Sequence, residues 1–213
     1  MNILHTYYYF TSILSSKFCD ELIEYGLSKQ DTSAITRDNP NDESELKDVS
    51  NIVKKNNDLK QKRNSNIVWL DDNWIYQKIQ PIVQQANVEA GWNFDWDWSE
   101  KCQFTKYNEN QFYDWHCDSF KTPYNQPDNI SFHNKIRKLS VTCNLSDPKD
   151  YEGGELEFDF SNISDKNNIK KCTEILPRGS VVVFPSFVWH RVAPVTKGTR
   201  YSLVMWNLGY PFK

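Results

Sequence analysis

This sequence predicts a mainly β chain with a helical N-terminal part, an α+β arrangement, and three observations predict it. Two early stretches, 15–29 and 72–90, carry apolar residues at helical spacing, whereas beyond Gly91 the chain changes to short runs of β-branched and aromatic residues. Four of the seven glycines (153, 154, 179 and 198) fall between those runs, where tight turns favour a residue free to take positive φ. Helices and strands do not alternate, which argues against a parallel βαβ sheet. Short strands of this kind close naturally as a jelly roll or a related two-sheet barrel. At 213 residues the chain suits one structural domain, with 1–100 supplying helices and a variable polar loop and 101–213 the β core.

The first helix is expected over 15–29, with Ser15 or Ser16 as cap, Asp20 and Glu21 toward its positive end, and Phe18, Leu22 and Tyr25 on one face. Residues 30–66 are polar, an acidic stretch followed by a basic one. Acids flank Lys54, Lys55, Lys60, Lys62 and Arg63, so this stretch reads as a solvated loop or short helix. A second helix from Asp72 to about Ala90 presents Ile75, Ile79, Ile82, Val83, Ala86 and Ala90, and Pro81 within it predicts a kink or a break. Phe94, Trp96 and Trp98 then alternate with acids, as in a strand. Further strands are expected at 103–107, 139–145, 154–160, 180–184 and 199–207.

Composition excludes several classes. A net charge of -3 gives no polyanion-binding surface, and no run of 18 apolar residues predicts a membrane span. The opening MNILHTYYYF lacks a basic n-region and a small-residue cleavage site, so no signal peptide is expected. Cysteines 19, 102, 117, 143 and 172 are odd in number, scattered and without a CxxC, which argues against a disulfide scaffold or a cysteine zinc site and suits a reducing cytoplasm.

The chemistry lies in three short patterns. His116 and Asp118 form an H-x-D pair, and on a strand residues two apart share a face, so both can point at one centre. An imidazole and a carboxylate are two parts of the 2-His-1-carboxylate triad that leaves positions open on non-haem Fe(II). A third ligand must come from elsewhere. His5 and His133 read as surface histidines, whereas His190 follows VVVFPSFVW and precedes another strand, deep in the β half. Ten residues later, Arg200 and Ser202 share a strand face, and a guanidinium fork beside a hydroxyl suits a carboxylate.

With these patterns in order, the sequence resembles the Fe(II)/2-oxoglutarate-dependent dioxygenases, in the prolyl 4-hydroxylase-like branch that includes the PKHD-type hydroxylases. The stretches YNENQFYDWHCD, RKLSVTCNLSDPKDYEGGELEF and LPRGSVVVFPSFVWHRVAPVTKGTRYSLVMW carry the resemblance across about 107–206, and RNSNIVWLDD (63–72) is similar to the segment entering the domain. The resemblance implies a double-stranded β-helix core with helices on one sheet. It implies Fe(II) on His116, Asp118 and His190, O2 at an open position, and 2-oxoglutarate held by Arg200, Ser202 and Tyr107. Asn144 departs from the pattern, standing where many prolyl hydroxylases carry tyrosine. The implied reaction hydroxylates a C–H bond of a prolyl or other peptidyl residue, releasing succinate and CO2, with ascorbate as a possible reductant in this family. Tyr113, Trp115 and Trp206 are candidates to line the substrate side, and segments 31–66 and 119–135 read either as lids or as insertions. Alternatives are hydroxylation of a free amino acid or other small molecule, or a non-catalytic binding module. A zinc hydrolase leaves Arg200 and Ser202 without a role. A nucleic-acid demethylase of this family would carry a second arginine beyond Arg200, which is missing.

Overall fold

The computed structural model describes residues 5–34, 62–161 and 168–212. In chain order the strands are β1 (Tyr8–Phe10), β2 (Thr32–Ser33), β3 (Arg63–Asn64), β4 (Asn66–Leu70), β5 (Trp98–Ser99), β6 (Cys102–Tyr107), β7 (Phe112–His116), β8 (Ile136–Asn144), β9 (Tyr151–Gly153), β10 (Leu156–Asp159), β11 (Ile169–Lys171), β12 (Val181–Pro185), β13 (Trp189–Val192), β14 (Val195–Gly198) and β15 (Arg200–Gly209). Two α-helices, α1 (Ser16–Leu27) and α2 (Asn73–Glu89), and a short 3-10 helix (Thr173–Ile175) complete the described elements. The pairings are antiparallel. A large sheet runs β1-β12-β8-β15-β6-β4-β2 with β5 also on β15, a second sheet runs β11-β10-β13-β7-β3, and β14 pairs with β9.

Strand alternation assigns the large sheet two different faces. Leu203 and Met205 of β15, Val141 and Cys143 of β8 and Phe104 of β6 pack with Phe18 and Leu22 of α1 and Ile75, Ile79, Val83 and Ala86 of α2 in the main apolar core. On the opposite face, Val182 and Phe184 of β12 join Leu156, Phe158 and Val192 of the second sheet in a separate core. The site described below is built where the two sheets face each other.

The helices form as their residues require. Ser15 caps α1, its Oγ accepting from Phe18 N at 3.2 Å. Tyr25 of α1 donates its hydroxyl to Asp72 at the start of α2, at 2.8 Å. Pro81 does not end α2, for it lies on the exposed side while the apolar stripe seats both halves of the helix on the sheet. No helix among the described residues is long and apolar enough to cross a membrane, and all five cysteines are free.

The alternation at 94–98 does not produce a strand of that length; only Trp98–Ser99 pairs, with β15. Asn87 of α2 takes the backbone of Phe94 instead, donating to its carbonyl at 3.0 Å and accepting from its N–H at 2.9 Å. Strands β1 and β4 carried no comparable period. β1 adds to β12 and β4 to β6, so residues from both parts of the chain share one sheet. Lys54, Lys55 and Lys60 lie outside the described residues. Arg63 is not solvated as its basic neighbourhood suggested; it is 5% exposed.

Candidate active site

His116 ends β7 and faces His190 of β13 across the ladder, with ring centroids 4.1 Å apart. Asp118 lies beyond the end of β7, not on it. Its N–H donates to Ser186 O at 2.9 Å, which turns the chain back toward the two rings. The carboxylate stands 3.7 Å from His116 Nε2 and 3.5 Å from His190 Nε2. Ligand atoms of the three residues all lie within 4.8 Å of one another.

Surrounding groups orient each ligand. Nδ1 of His116 faces Asp114 O at 2.7 Å and Nδ1 of His190 faces Val188 O at 3.0 Å, so a ring donating there turns its Nε2 lone pair to the centre. Ser140 donates its hydroxyl to Asp118 Oδ2 at 2.7 Å and lies 2.9 Å from Ser186 Oγ. Burial, with His190 alongside, holds His116 well below the ordinary imidazole range, which favours the neutral ring that a metal requires.

Arg200 opens β15 and is only 1% exposed, yet its Nη1 has no hydrogen-bond partner. Its guanidinium lies 5.6 Å from the ring of Tyr107, its register partner on β6. Ser202 follows on the same face, buried between its register partners Thr105 and Asn144. Asn144 donates its amide to Leu176 O at 2.8 Å, and its Oδ1 is left without a partner. Gly154 makes room for Val195 and the arginine: it holds φ +66, and a Cβ there would come 2.9 Å from Val195 Cγ2 and 3.0 Å from Arg200 Cδ.

A buried charge without a counter-ion is costly, so Arg200 marks a place for an anion. Two imidazoles and one carboxylate around a centre with open positions suit non-haem Fe(II), and an uncompensated guanidinium fork suits a carboxylate. The residues therefore fit both Fe(II) and a dicarboxylate cosubstrate.

An open cleft of about 970 Å³ reaches His116 and Asp118 and is lined by Tyr113, Trp115 and Trp206. Tyr113 stacks on His116 at 3.5 Å between centroids. Trp115 is half-buried with the Arg191 guanidinium 4.9 Å from its ring. Trp206 is buried, with Arg137 4.0 Å over it and its Nε1 unpartnered. Segment 119–135 is fastened at this cleft: Tyr124 is buried and donates to Glu100 at 2.9 Å, and Arg137 holds both oxygens of Glu100 at 2.7 Å. His5 is exposed and His133 half-buried, and neither joins the metal-ligating group.

Sequence reasoning missed Ser140, Ser186, Arg63 and the Glu100–Arg137–Tyr124 set. Ser140 had a signal, because Ser140, Thr142 and Asn144 alternate with Leu139, Val141, Cys143 and Leu145 as a polar stripe. Arg63 had none, since it closes a run of lysines in polar surroundings.

The profile of the 2OG-Fe(II) oxygenase superfamily matches residues 102–207, which include the His-Asp-His group and Arg200. The chain belongs to that superfamily. It is 36% identical over 102 residues to a PKHD-type hydroxylase of Pseudomonas fluorescens, a match covering 47% of this chain and 40% of that protein. It is 34% identical over 104 residues to one of Xylella fastidiosa, covering 49% and 42%. The match thus spans about two fifths of these relatives' own length. In fold the chain is similar to the viral collagen prolyl hydroxylase of Paramecium Bursaria Chlorella virus-1 (TM-score 0.63, 19% identity, 96% of this chain and 97% of that one). It is also similar to a prolyl-4-hydroxylase of Pseudomonas putida (TM-score 0.64, 17% identity, covering 95% and 92%).

Proposed function

We propose that this chain is a 2-oxoglutarate-dependent dioxygenase that hydroxylates a C–H bond of a prolyl or other peptidyl residue, converting 2-oxoglutarate and O2 to succinate and CO2. The observation that carries the reading is the pairing of a His-Asp-His group, two of its members buried, with a buried arginine that has no counter-ion among the described residues. We read the two facing sheets as a double-stranded β-helix, with residues 1–100 supporting the 101–213 core in one domain.

In this reading His116, Asp118 and His190 hold Fe(II), which when bound supplies the activation of O2. Arg200 pairs with the distal carboxylate of 2-oxoglutarate, Ser202 adds a hydrogen bond and Tyr107 packs beside the guanidinium. Ser140 holds Asp118 in orientation, and the two backbone carbonyls hold the imidazoles. Tyr113, Trp115 and Trp206 form the wall against which an apolar ring such as proline packs and excludes water. Ascorbate is the expected external reductant. A peptide substrate is supported by the likeness in fold to a prolyl hydroxylase of Trichoplax adhaerens solved with a hypoxia inducible factor peptide fragment (TM-score 0.63, 17% identity, 95% of this chain and 83% of that one).

The test is anaerobic addition of 2-oxoglutarate to the Fe(II)-loaded protein. A weak visible charge-transfer band is expected, with its loss in Arg200→Ala, together with aerobic succinate release that vanishes in His190→Ala. Fe(II) binding without a band or succinate would sink the assignment.

A further inference from the structure

Besides Arg200, which is not among the residues lining the cleft, a further buried arginine, Arg63, does line it and has no part in the cosubstrate reading. Among the described arginines, Arg137, Arg178 and Arg191 pair with Glu100, Asp20 and Glu157, whereas no ion pair with a described carboxylate engages Arg63 or Arg200. Arg63 is 5% exposed and lines the cleft. Its Nε donates to Ser65 Oγ at 3.0 Å, which fixes the fork, and its Nη2 is buried without a partner. Thus Arg63 shares with Arg200 the mark of an anion site, a buried guanidinium lacking its anion.

Its place relative to the metal group is defined by stacking. The Arg63 guanidinium lies 4.3 Å over the Tyr113 ring, and Tyr113 in turn lies on His116 at 3.5 Å. β3, which carries Arg63, pairs with β7, which carries His116, so both belong to one wall of the cleft. The other charged residues on that cleft are Lys62, Lys121, Asp114 and Asp118 of the metal group, with the mutually neutralised Glu100 and Arg137.

We propose that Arg63 anchors a carboxylate of the substrate, so that the substrate is anionic and its reacting carbon extends from Arg63 past Tyr113 toward His116 and Asp118. This rests on the oxygenase reading and deepens it by naming a substrate class. The carboxylate has two possible sources, the side chain of an acidic residue next to the target in a peptide, or a free α-carboxylate on a small molecule or chain terminus.

The test uses two pairs of probes that differ only in charge: N-acetyl-proline against N-acetyl-prolinamide, and acetyl-Ala-Asp-Pro-Ala-amide against acetyl-Ala-Asn-Pro-Ala-amide. Binding is read from quenching of the tryptophans lining the cleft, in the anaerobic Fe(II) protein with excess 2-oxoglutarate present to occupy Arg200. We expect at least one acid to bind about tenfold or more tightly than its amide, the size of one charge-assisted hydrogen bond. Arg63→Gln abolishes that preference, and Arg63→Lys keeps part of it. Preference in the first pair identifies a free carboxylate, and preference in the second an acidic side chain. Equal affinities within both pairs, or no binding of any probe, overturn the proposal in the wild-type protein alone, whatever the folding of the variants. A preference that survives in folded Arg63→Gln also overturns it. If the charge-transfer band is absent but the Arg63-dependent preference is present, the oxygenase reading fails and the anion site stands.

Discussion

The ring of Tyr113 lies flat on the imidazole of His116, with planes 13° apart and centroids at 3.5 Å, although residues three apart on a regular strand face opposite sides. The reason is in the ladder. His190 is paired with His116 and Val192 with Tyr113, so two steps of β13 face three of β7, and the extra residue makes a β-bulge. That bulge turns an aromatic side chain onto the imidazole of His116 and aligns it with Arg63 above.

Removing the stack should loosen the metal group. Tyr113→Ala is expected to weaken Co(II) binding about three- to tenfold, the worth of one aromatic pair, whereas Tyr113→Phe stays near wild type. Visible absorbance during a Co(II) titration reads both. An alanine variant that binds as tightly as wild type would show that the stack does not orient His116.

Ser140→Ala removes the hydroxyl that holds Asp118 at 2.7 Å. Groups that support a metal ligand in this way typically contribute about 10- to 100-fold in affinity. Competition with a chromogenic chelator should show a loss in that range, with a smaller one in Ser186→Ala, whose hydroxyl reaches Asp118 through Ser140. Equal losses in the two would rule out Ser140 as the direct support.

Gly154→Ala separates the two halves of the site. An alanine at φ +66 carries a strain of about 1–2 kcal/mol, and its Cβ would press on Val195 Cγ2 and Arg200 Cδ. The concentration of 2-oxoglutarate giving half the charge-transfer band should rise about tenfold, while Co(II) affinity stays unchanged. If metal affinity falls instead, the strain spreads beyond the arginine.

The Glu100–Arg137 pair, with side chains 9% and 13% exposed, holds segment 119–135 at the cleft through Tyr124. Breaking such a pair from one side leaves a buried charge and costs about 3–5 kcal/mol. Urea denaturation should show this in Glu100→Gln and in Arg137→Met. The double variant should recover much of the loss, and additive losses would mean that the two residues act independently.

The gathering of His116, Asp118 and His190 and the buried Arg200 could be anticipated because their signals are local. H-x-D and R-x-S each need only a two-residue spacing, and the turn glycines separate the strands that carry them. His190 stood out from the two other unassigned histidines by its apolar strand context. Asp118 reached the centre by a route that spacing did not describe, through the backbone bond to Ser186.

Arg63 shows where such legibility ends. Its sequence neighbours are polar and basic, so local pattern assigned it to solvent, while long-range pairing of β3 with β7 buries it over Tyr113. The strand expected at 94–98 failed for a related reason, because an amide on α2 satisfies the backbone that a neighbouring strand would otherwise have bonded. Residue type and short spacing carry the chemistry of a ligand set, since donor atoms are chemical properties of single side chains. Burial, partnering and the facing of one group toward another depend on segments far apart in the chain, and arise only when the sheets close.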